Sequence, residues 1–360
     1  KDLELPDAFC IQRLRRNPKI DIFGKTHLTE LAGFVTSNVL PYGYSELGGF
    51  GRNPHGNCPC GGSSAGSAIA VAAGFCDAAL GTETRGSLMI PGFRNGVFSF
   101  KPTRGLISRS GIIPLSSSFD APGVLARNPE IMKKVILTMV GVDLEDDQSF
   151  ELTKTESNPS RKRIICCVNR SLGEMELLQT ELRPFLAQLK LNGFEITFVD
   201  LPDVSFDYKT ISSADIRSDM AEFLQRFGSD NEPRSFEELV ERYRERPNAH
   251  LYGMERLEDA LAMPQIQKSD LKKLVQENVA KARDLINSIL DRYDGDFVGF
   301  LNFVDWFSIG GGPSCTLPVS FETKPPISIM LGSRVGNDLA LLNIVQEFSE
   351  IAKATQYTEN

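Results

Sequence analysis

Small residues are concentrated in the segment 48–92, and this segment constrains the fold more than any other. Residues 61–68 read GGSSAGSA, and residues 69–74 read IAVAAG. Glycine costs up to about 1 kcal/mol relative to alanine inside a helix, so a tight loop is predicted first and a buried helix second. Ser63 or Ser64 would lie near the helix N-terminus, where free N–H groups can bind an anion or a developing negative charge. A serine cap on a closely packed helix explains the same pattern.

A second serine motif occupies residues 81–91, which read GTETRGSLMIP. It follows the apolar segment 75–80, which suits a strand. A loop after a strand, with glycine before serine, can direct several backbone N–H groups at one point, and an oxyanion hole is built in this way. An ordinary turn is an equally good interpretation of the motif taken alone.

The base that would activate such a serine is restricted by composition. The chain has only three histidines, His27, His55 and His250, and lacks a nucleophile-elbow pattern. A serine–lysine mechanism therefore fits better, because burial and neighbouring charges can keep a lysine neutral near pH 7. Residues 24–31 supply one candidate, Lys25, which would be either catalytic or an ordinary surface ion.

Composition excludes several function classes. The 360-residue chain has a net charge of -8, which argues against a nucleic-acid partner held through phosphates. It contains no run of about 18 apolar residues, so no membrane span is predicted. The seven cysteines are odd in number and several lie in apolar runs, which favours free thiols in a reducing, cytoplasmic setting. Cys58 and Cys60, with only His55 nearby, lack the second ligand pair of a zinc site, so no metal is predicted.

The region 150–295 is charged and has helical periodicity. Within it, predicted strands at 164–168 and 195–199 flank a helix near 174–191, which indicates a βαβ-like unit. The spacing also predicts a helix over 269–290. Further on, the pattern predicts a strand at 327–331 and a closing helix at 337–353.

Four stretches together resemble the amidase signature family of serine hydrolases. They are residues 59–68 (PCGGSSAGSA), 81–91 (GTETRGSLMIP), 100–105 (FKPTRG) and 119–128 (FDAPGVLARN). Residues 310–353 also resemble the family's C-terminal strand and helix. The resemblance covers 1–145 and 295–355 well and the middle loosely.

The resemblance implies one α/β domain over residues 1–360, with a mixed central sheet covered by helices on both sides. The motif-bearing core would be 1–145 and 295–355, with a helical elaboration over about 150–295. It also implies a cofactor-free amidohydrolase that acts on a small-molecule or peptide amide through an acyl-serine. A homodimer is left open.

The family uses a Ser–cisSer–Lys triad. By resemblance, its nucleophile falls on Ser87 and its bridging serine, on a cis peptide, falls on Ser63. The oxyanion hole would consist of the backbone N–H groups of Thr84, Arg85 and Gly86, together with that of Ser87.

The triad lysine is expected at Lys1, because Lys1-Asp2 matches the family's lysine–acid pair. Lys25 instead matches a glycine-lysine-threonine landmark and is the second candidate. Lys1 is closer to Ser63 than the family pattern has it. The resemblance therefore implies that residues are missing before Lys1 and between about Asp2 and Leu5.

This chain departs from the family pattern at two positions of the second motif: Glu83 replaces aspartate and Arg85 replaces glycine. Arginine resists a glycine-like backbone conformation. Its side chain would either enter the pocket and contact an anionic substrate group or point to solvent.

Two other functions remain open. The first is the glutaminase subunit of a tRNA-dependent amidotransferase, and the second is a non-catalytic scaffold that keeps the fold. Five aromatic residues would line an apolar acyl pocket or belong to the ordinary core: Phe93, Phe98, Phe100, Phe303 and Trp306.

Overall fold

The structure is a computed structural model that describes residues 6–36, 41–152, 162–228, 232–320 and 323–357, with side chains described as far as residue 353. Within those ranges, no helix is both long enough and apolar enough to cross a membrane. All seven cysteines are free, as predicted, and burial raises the pKa of the Cys166 and Cys167 thiols to about 12.

Ten strands are formed within the described residues: β1 Tyr44–Ser45, β2 Gly49–Phe50, β3 Ala78–Glu83, β4 Phe98–Lys101, β5 Ala121–Ala126, β6 Lys162–Val168, β7 Phe194–Asp200, β8 Phe297–Phe300, β9 Ser314–Ser320 and β10 Ile327–Gly332. Twelve α-helices accompany them in the same part of the chain: α1 Phe9–Arg15, α2 Ala65–Ala72, α3 Met89–Asn95, α4 Pro129–Met139, α5 Glu174–Gln179, α6 Arg183–Leu191, α7 Tyr208–Phe227, α8 Phe236–Arg244, α9 Glu255–Ala262, α10 Lys268–Arg292, α11 Trp306–Gly310 and α12 Asp338–Tyr357.

Eight strands form one mixed sheet in the order β3-β5-β4-β9-β10-β8-β6-β7. Strand β6 pairs in parallel with β7 and β8, and the other neighbours are antiparallel. The predicted strands of the middle region therefore belong to the main sheet.

Alternate residues of β6 show why helices cover both faces of the sheet. Ile164 and Cys166 pack into one hydrophobic cluster with side chains of α1, α4, α6 and α12. Ile165 and Cys167 pack into another with side chains of α2, α3, α10 and α11. Successive side chains of a strand point to opposite faces, so each face buries its own apolar row. The predicted α/β fold with a mixed, doubly covered sheet is confirmed.

Two predicted elements differ in detail. The helix expected near 174–191 is two helices, α5 and α6, because Pro184 lies in the first turn of α6. Proline has no N–H to continue a preceding helix, but it fits a first turn. The strand expected at 75–80 begins at Ala78 instead, because Gly74 has a φ of +78° and Phe75 still donates to the Ala70 carbonyl of α2.

Candidate active site

The two serine motifs meet through the main chain. The Ser64 N–H donates to the Ser87 carbonyl at 3.2 Å, and the Thr29 N–H donates to the Ser63 carbonyl at 3.0 Å. The Gly62–Ser63 peptide bond is cis, as the resemblance implies. Ser63 is 3% exposed and Ser87 is half-buried. The sequence therefore folds so that the two serines expected in the triad are close neighbours.

The hydroxyls of these serines are not hydrogen-bonded to each other. Across the described part of the chain, no hydrogen bond involves the Oγ of Ser63 or Ser87. By contrast, Ser64 Oγ donates to the Thr82 carbonyl of β3 and accepts from the Thr82 N–H, at 3.2 and 3.3 Å. The hydroxyls at 63 and 87 thus remain available for other partners.

Residues 84–88, which we call the β3–α3 turn, are fixed by a buried carboxylate. Glu83 is fully buried, and its Oε2 accepts from the N–H groups of Leu88 and Met89 at 2.9 and 3.0 Å. Its Oε1 accepts from the Ser308 hydroxyl of α11 at 2.7 Å. Glutamate in place of the family's aspartate therefore binds the main chain at the far end of the turn. This role was not predicted.

Gly86 supplies the left-handed residue of the turn, with a φ of +85°. A Cβ atom there would lie 2.7 Å from Ile90 Cδ1 and 2.8 Å from Phe303 Cζ. Arg85, in contrast, is not among the residues with positive φ. The backbone of the turn therefore accepts arginine at position 85 and requires glycine at position 86.

The Arg85 side chain is directed to protein partners rather than freely to solvent. Its Nε donates to Asp305 Oδ2 at 2.8 Å, and its guanidinium carbon lies 5.1 Å from the ring centroid of Tyr208. The side chain is 48% exposed. It thus contacts Asp305 and Tyr208 while about half of its surface contacts solvent.

The near end of the turn is held by Asp120. The Thr84 hydroxyl donates to Asp120 Oδ1 at 2.5 Å, while Oδ2 accepts from the N–H groups of Leu115 and Ser116 at 2.8 and 2.9 Å. Burial raises the pKa of Asp120, and hydrogen bonds from these same three residues oppose that rise. From the sequence, this aspartate was only part of a family landmark, and its contact with Thr84 was not foreseen.

Three lysines are relevant to the choice of a base, and they differ in their surroundings. Lys1 lies outside the described residues. Lys25 is exposed. Lys101 is 1% exposed, and its ammonium donates to the Pro102 and Gly312 carbonyls at 3.1 and 2.5 Å. Burial lowers the pKa of Lys101 to about 8, but these contacts direct its ammonium to the main chain.

None of the three histidines, all of which the structure describes, hydrogen-bonds to Ser63 or Ser87. The Nε2 atoms of His27 and His55 lie 2.9 Å from the Gly43 and Asn95 carbonyls. The described residues contain no cluster of three potential metal ligands. His27 and His55 thus contact main-chain carbonyls through Nε2 rather than either serine.

A cavity of about 990 Å³ adjoins the β3–α3 turn on the Thr84 side. Asp120 and Lys25 line it, whereas Ser63 and Ser87 do not. Its apolar wall includes Leu28, Leu31, Ile113, Ile216, Phe223 and Phe227. The cavity therefore reaches the turn without reaching the serine hydroxyls.

The aromatic residues proposed for an acyl pocket mostly belong to the core. Phe98, Phe100 and Trp306 are buried, and Phe93 packs against the cluster on the α2 face. Phe303 is half-buried and lies against Gly86. Of the five, Phe303 is the one placed at the turn.

Comparison with known proteins agrees with these motifs. The Amidase family model matches residues 3–295. A glutamyl-tRNA(Gln) amidotransferase subunit of Campylobacter lari is 34% identical over 226 residues, which cover 60% of this chain and 48% of that protein. The same subunit of Halorhodospira halophila is 27% identical over an alignment of 383 residues, covering 96% of this chain and 77% of the relative.

The fold has solved counterparts. The native peptide amidase of Stenotrophomonas maltophilia superposes with a TM-score of 0.84 at 24% identity, over 96% of this chain and 77% of that one. This likeness shows the fold alone. The match to the Campylobacter relative spans about half of that protein's length. Because the family model covers most of the sequence, the chain belongs to the amidase family.

Proposed function

We propose that this protein is an amidohydrolase that cleaves a carboxylic amide through an acyl-serine intermediate on Ser87. The observation that carries the proposal is the hydrogen bond from the Ser64 N–H to the Ser87 carbonyl, which keeps the two serine motifs adjacent. The lack of a histidine partner for either serine, across the described residues, supports a lysine as the base.

The proposed reaction has two steps. Neutral Lys1 accepts the hydroxyl proton of Ser63, Ser63 accepts that of Ser87, and Ser87 Oγ attacks the amide carbonyl. The N–H groups of Thr84, Arg85, Gly86 and Ser87 stabilise the oxyanion. The proton then returns through Ser63 to the leaving amine as the C–N bond breaks.

Water completes the cycle. It attacks the acyl-serine, gives a proton to Ser87 Oγ through the same relay, and releases the carboxylic acid. The relay requires the hydroxyls of Ser63 and Ser87 to turn toward each other. Catalytic hydrogen bonds often tighten only when substrate is bound.

The nucleophile is tested with a fluorophosphonate probe and a screen of short amides, fatty amides and C-terminally amidated peptides. We expect Ser87→Ala to lose covalent labelling and all amide hydrolysis. Ser67→Ala is the matched control, because its hydroxyl donates to the Leu80 carbonyl at 2.7 Å and is given no catalytic role. Labelling or turnover retained by Ser87→Ala would contradict the assignment.

The lysine is tested by comparing Lys1→Ala with Lys25→Ala in the full-length protein. We expect Lys1→Ala to lower the rate of fluorophosphonate labelling by about 10²-fold or more, since general base catalysis contributes about 10²–10⁴-fold to a rate. Lys25 is exposed, so its removal should leave the labelling rate unchanged. The reverse pattern would move the base to Lys25.

A second candidate is the glutaminase subunit of a tRNA-dependent amidotransferase, because the Campylobacter and Halorhodospira relatives are named as subunits of such an enzyme. It would require a second protein chain to receive ammonia. Co-purification with a second chain, together with glutamine hydrolysis stimulated by tRNA, would favour this candidate. If the intact wild-type chain is not labelled at Ser87, a non-catalytic scaffold is favoured instead.

A further inference from the structure

Asp120 reaches the β3–α3 turn because of strand register. Strands β3 and β5 are antiparallel, and the pair at this end of their ladder is Glu83 opposite Ala121. The next residues in each direction are Thr84 and Asp120, so the pairing brings these two side chains together where the strands end. Their hydrogen bond of 2.5 Å is the contact expected from that placement.

The Asp120 carboxylate is itself held firmly. Its second oxygen accepts from two main-chain N–H groups, and the loop that supplies them is anchored on α7. There, the Ser116 hydroxyl donates to Asp215 at 2.5 Å, and the Ser117 N–H donates to Asp219 at 2.6 Å. A carboxylate fixed by several donors can determine where its remaining donor, the Thr84 hydroxyl, must lie.

The β3–α3 turn is therefore fixed by hydrogen bonds to a carboxylate at each end. Glu83 accepts from the N–H groups of Leu88 and Met89 at the far end of the turn, and Asp120 accepts from the Thr84 hydroxyl at its start. Between these contacts lie the N–H groups that would stabilise an oxyanion. Such donors act only when they point at the developing charge, so small displacements of the turn matter.

We propose that Asp120 is a positioning residue, which orients the oxyanion-stabilising N–H groups of residues 84–87 by accepting the Thr84 hydroxyl hydrogen. This inference rests on the proposed function. It assigns Asp120 no contact with substrate and no proton transfer. The competing explanation is that Asp120 only caps the loop at 115–119, in which case Thr84 would be dispensable for reactivity.

The test uses a pair of substitutions at Thr84. Thr84→Val keeps the shape of the side chain and removes the hydroxyl, whereas Thr84→Ser keeps the hydroxyl. The measured quantity is the second-order rate constant for labelling of the full-length protein by a fluorophosphonate, whose phosphoryl oxygen occupies an oxyanion hole. We expect a loss of about 10- to 100-fold for Thr84→Val, below the roughly 10²–10³-fold cost of deleting a whole donor. Thr84→Ser should restore the wild-type rate to within about threefold.

A double-mutant cycle separates positioning from stability. Asp120→Ala should lower the labelling rate, and its combination with Thr84→Val should lower the rate no further than Asp120→Ala does alone, because both changes break the same contact. The melting temperature of each variant shows separately whether the substitution lowers its stability. If Thr84→Val does not fold, the test rests on the labelling rates of Asp120→Ala and Thr84→Ser. Asp120→Ala is expected to label slowly and Thr84→Ser at the wild-type rate.

The outcomes are distinguishable. If the wild type labels at Ser87 and Thr84→Val or Asp120→Ala labels equally fast, the positioning role is wrong while the proposed function stands. Additive effects in the double variant would also overturn the positioning role. If the wild type does not label at all, the proposed function and this inference are overturned together.

Discussion

Among the residues of the β3–α3 turn, Gly86 accepts few replacements. Its φ of +85° is costly for other residues, and the place where a Cβ would lie is already occupied by Ile90 and Phe303. Gly74 is a matched comparison, because its φ of +78° is similar but no atom lies within 4 Å of the corresponding position. Comparing alanine substitutions at the two positions therefore distinguishes the cost of backbone strain from the cost of steric crowding.

We expect Gly74→Ala to lower the free energy of unfolding by about 1 kcal/mol, the cost of a left-handed residue with a Cβ. Gly86→Ala should cost about 1–3 kcal/mol more, as overpacking does, and should also slow fluorophosphonate labelling. Urea denaturation and the labelling rate measure the two effects. Equal losses of stability in the two variants would contradict the crowding argument.

The residues of the turn also show what the sequence could and could not predict. The apolar segment 75–80 predicted a strand and the motif 81–91 a loop after it; β3 instead spans Ala78–Glu83, so the turn begins at Thr84. The motif could not reveal the partner of Glu83, because Ser308 is 225 positions away along the chain. Similarly, Arg85 could be judged a departure from the family, but its contacts with Asp305 and Tyr208 depend on tertiary packing.

At the scale of elements, Glu83 connects three of them. Glu83 is the last residue of β3. Its carboxylate accepts hydrogen bonds from the Leu88 and Met89 N–H groups at the start of α3 and from the Ser308 hydroxyl of α11. A buried N–H without an acceptor costs about 1–3 kcal/mol. The carboxylate therefore contributes to the packing of these elements as well as to the shape of the turn.

We expect Glu83→Ala to lower the free energy of unfolding by about 3 kcal/mol or more, because two main-chain donors and one hydroxyl lose their acceptor. Glu83→Gln is the conservative control: its carbonyl oxygen can still accept from the two N–H groups while Ser308 accepts from the amide. It should retain most of the stability. Chemical denaturation with a fitted slope checks both variants. A Glu83→Ala protein as stable as the wild type would show that the buried contacts are replaced.

Element boundaries were predicted least well where local signals compete. Small residues at 61–68 favoured a loop, yet α2 begins at Ala65, because Gly66 packs so closely on residue 27 that a Cβ would lie 2.2 Å from the His27 carbonyl oxygen. Tertiary packing here overrides the low helix propensity of glycine. Strands β6 and β10 and helices α10 and α12, whose periodicity is strong, lie close to their predicted ranges.

At the scale of the molecule, the family resemblance predicted the mixed sheet with helices on both faces, and the sequence pattern alone indicated only a βαβ-like unit. Neither predicted the order of the strands in the sheet. Strand β4 at 98–101 pairs with β9 at 314–320, across more than 200 positions of chain. Periodicity reports which face of a strand is buried, and carries no information on which distant strand completes its hydrogen bonds.

That strand order has a consequence for truncated forms of the chain. Strands β9 and β10 lie between β4 and β8, in the interior of the sheet, although they come last in sequence. A product ending near residue 295, where the family match stops, would lack β8, β9 and β10 together. The three-stranded group β3-β5-β4 and the pair β6-β7 would then each expose a hydrophobic edge strand with unpaired N–H and C=O groups. Such edge strands promote aggregation. The last fifth of the chain thus supplies the strands that join β3-β5-β4 and β6-β7 into a single sheet.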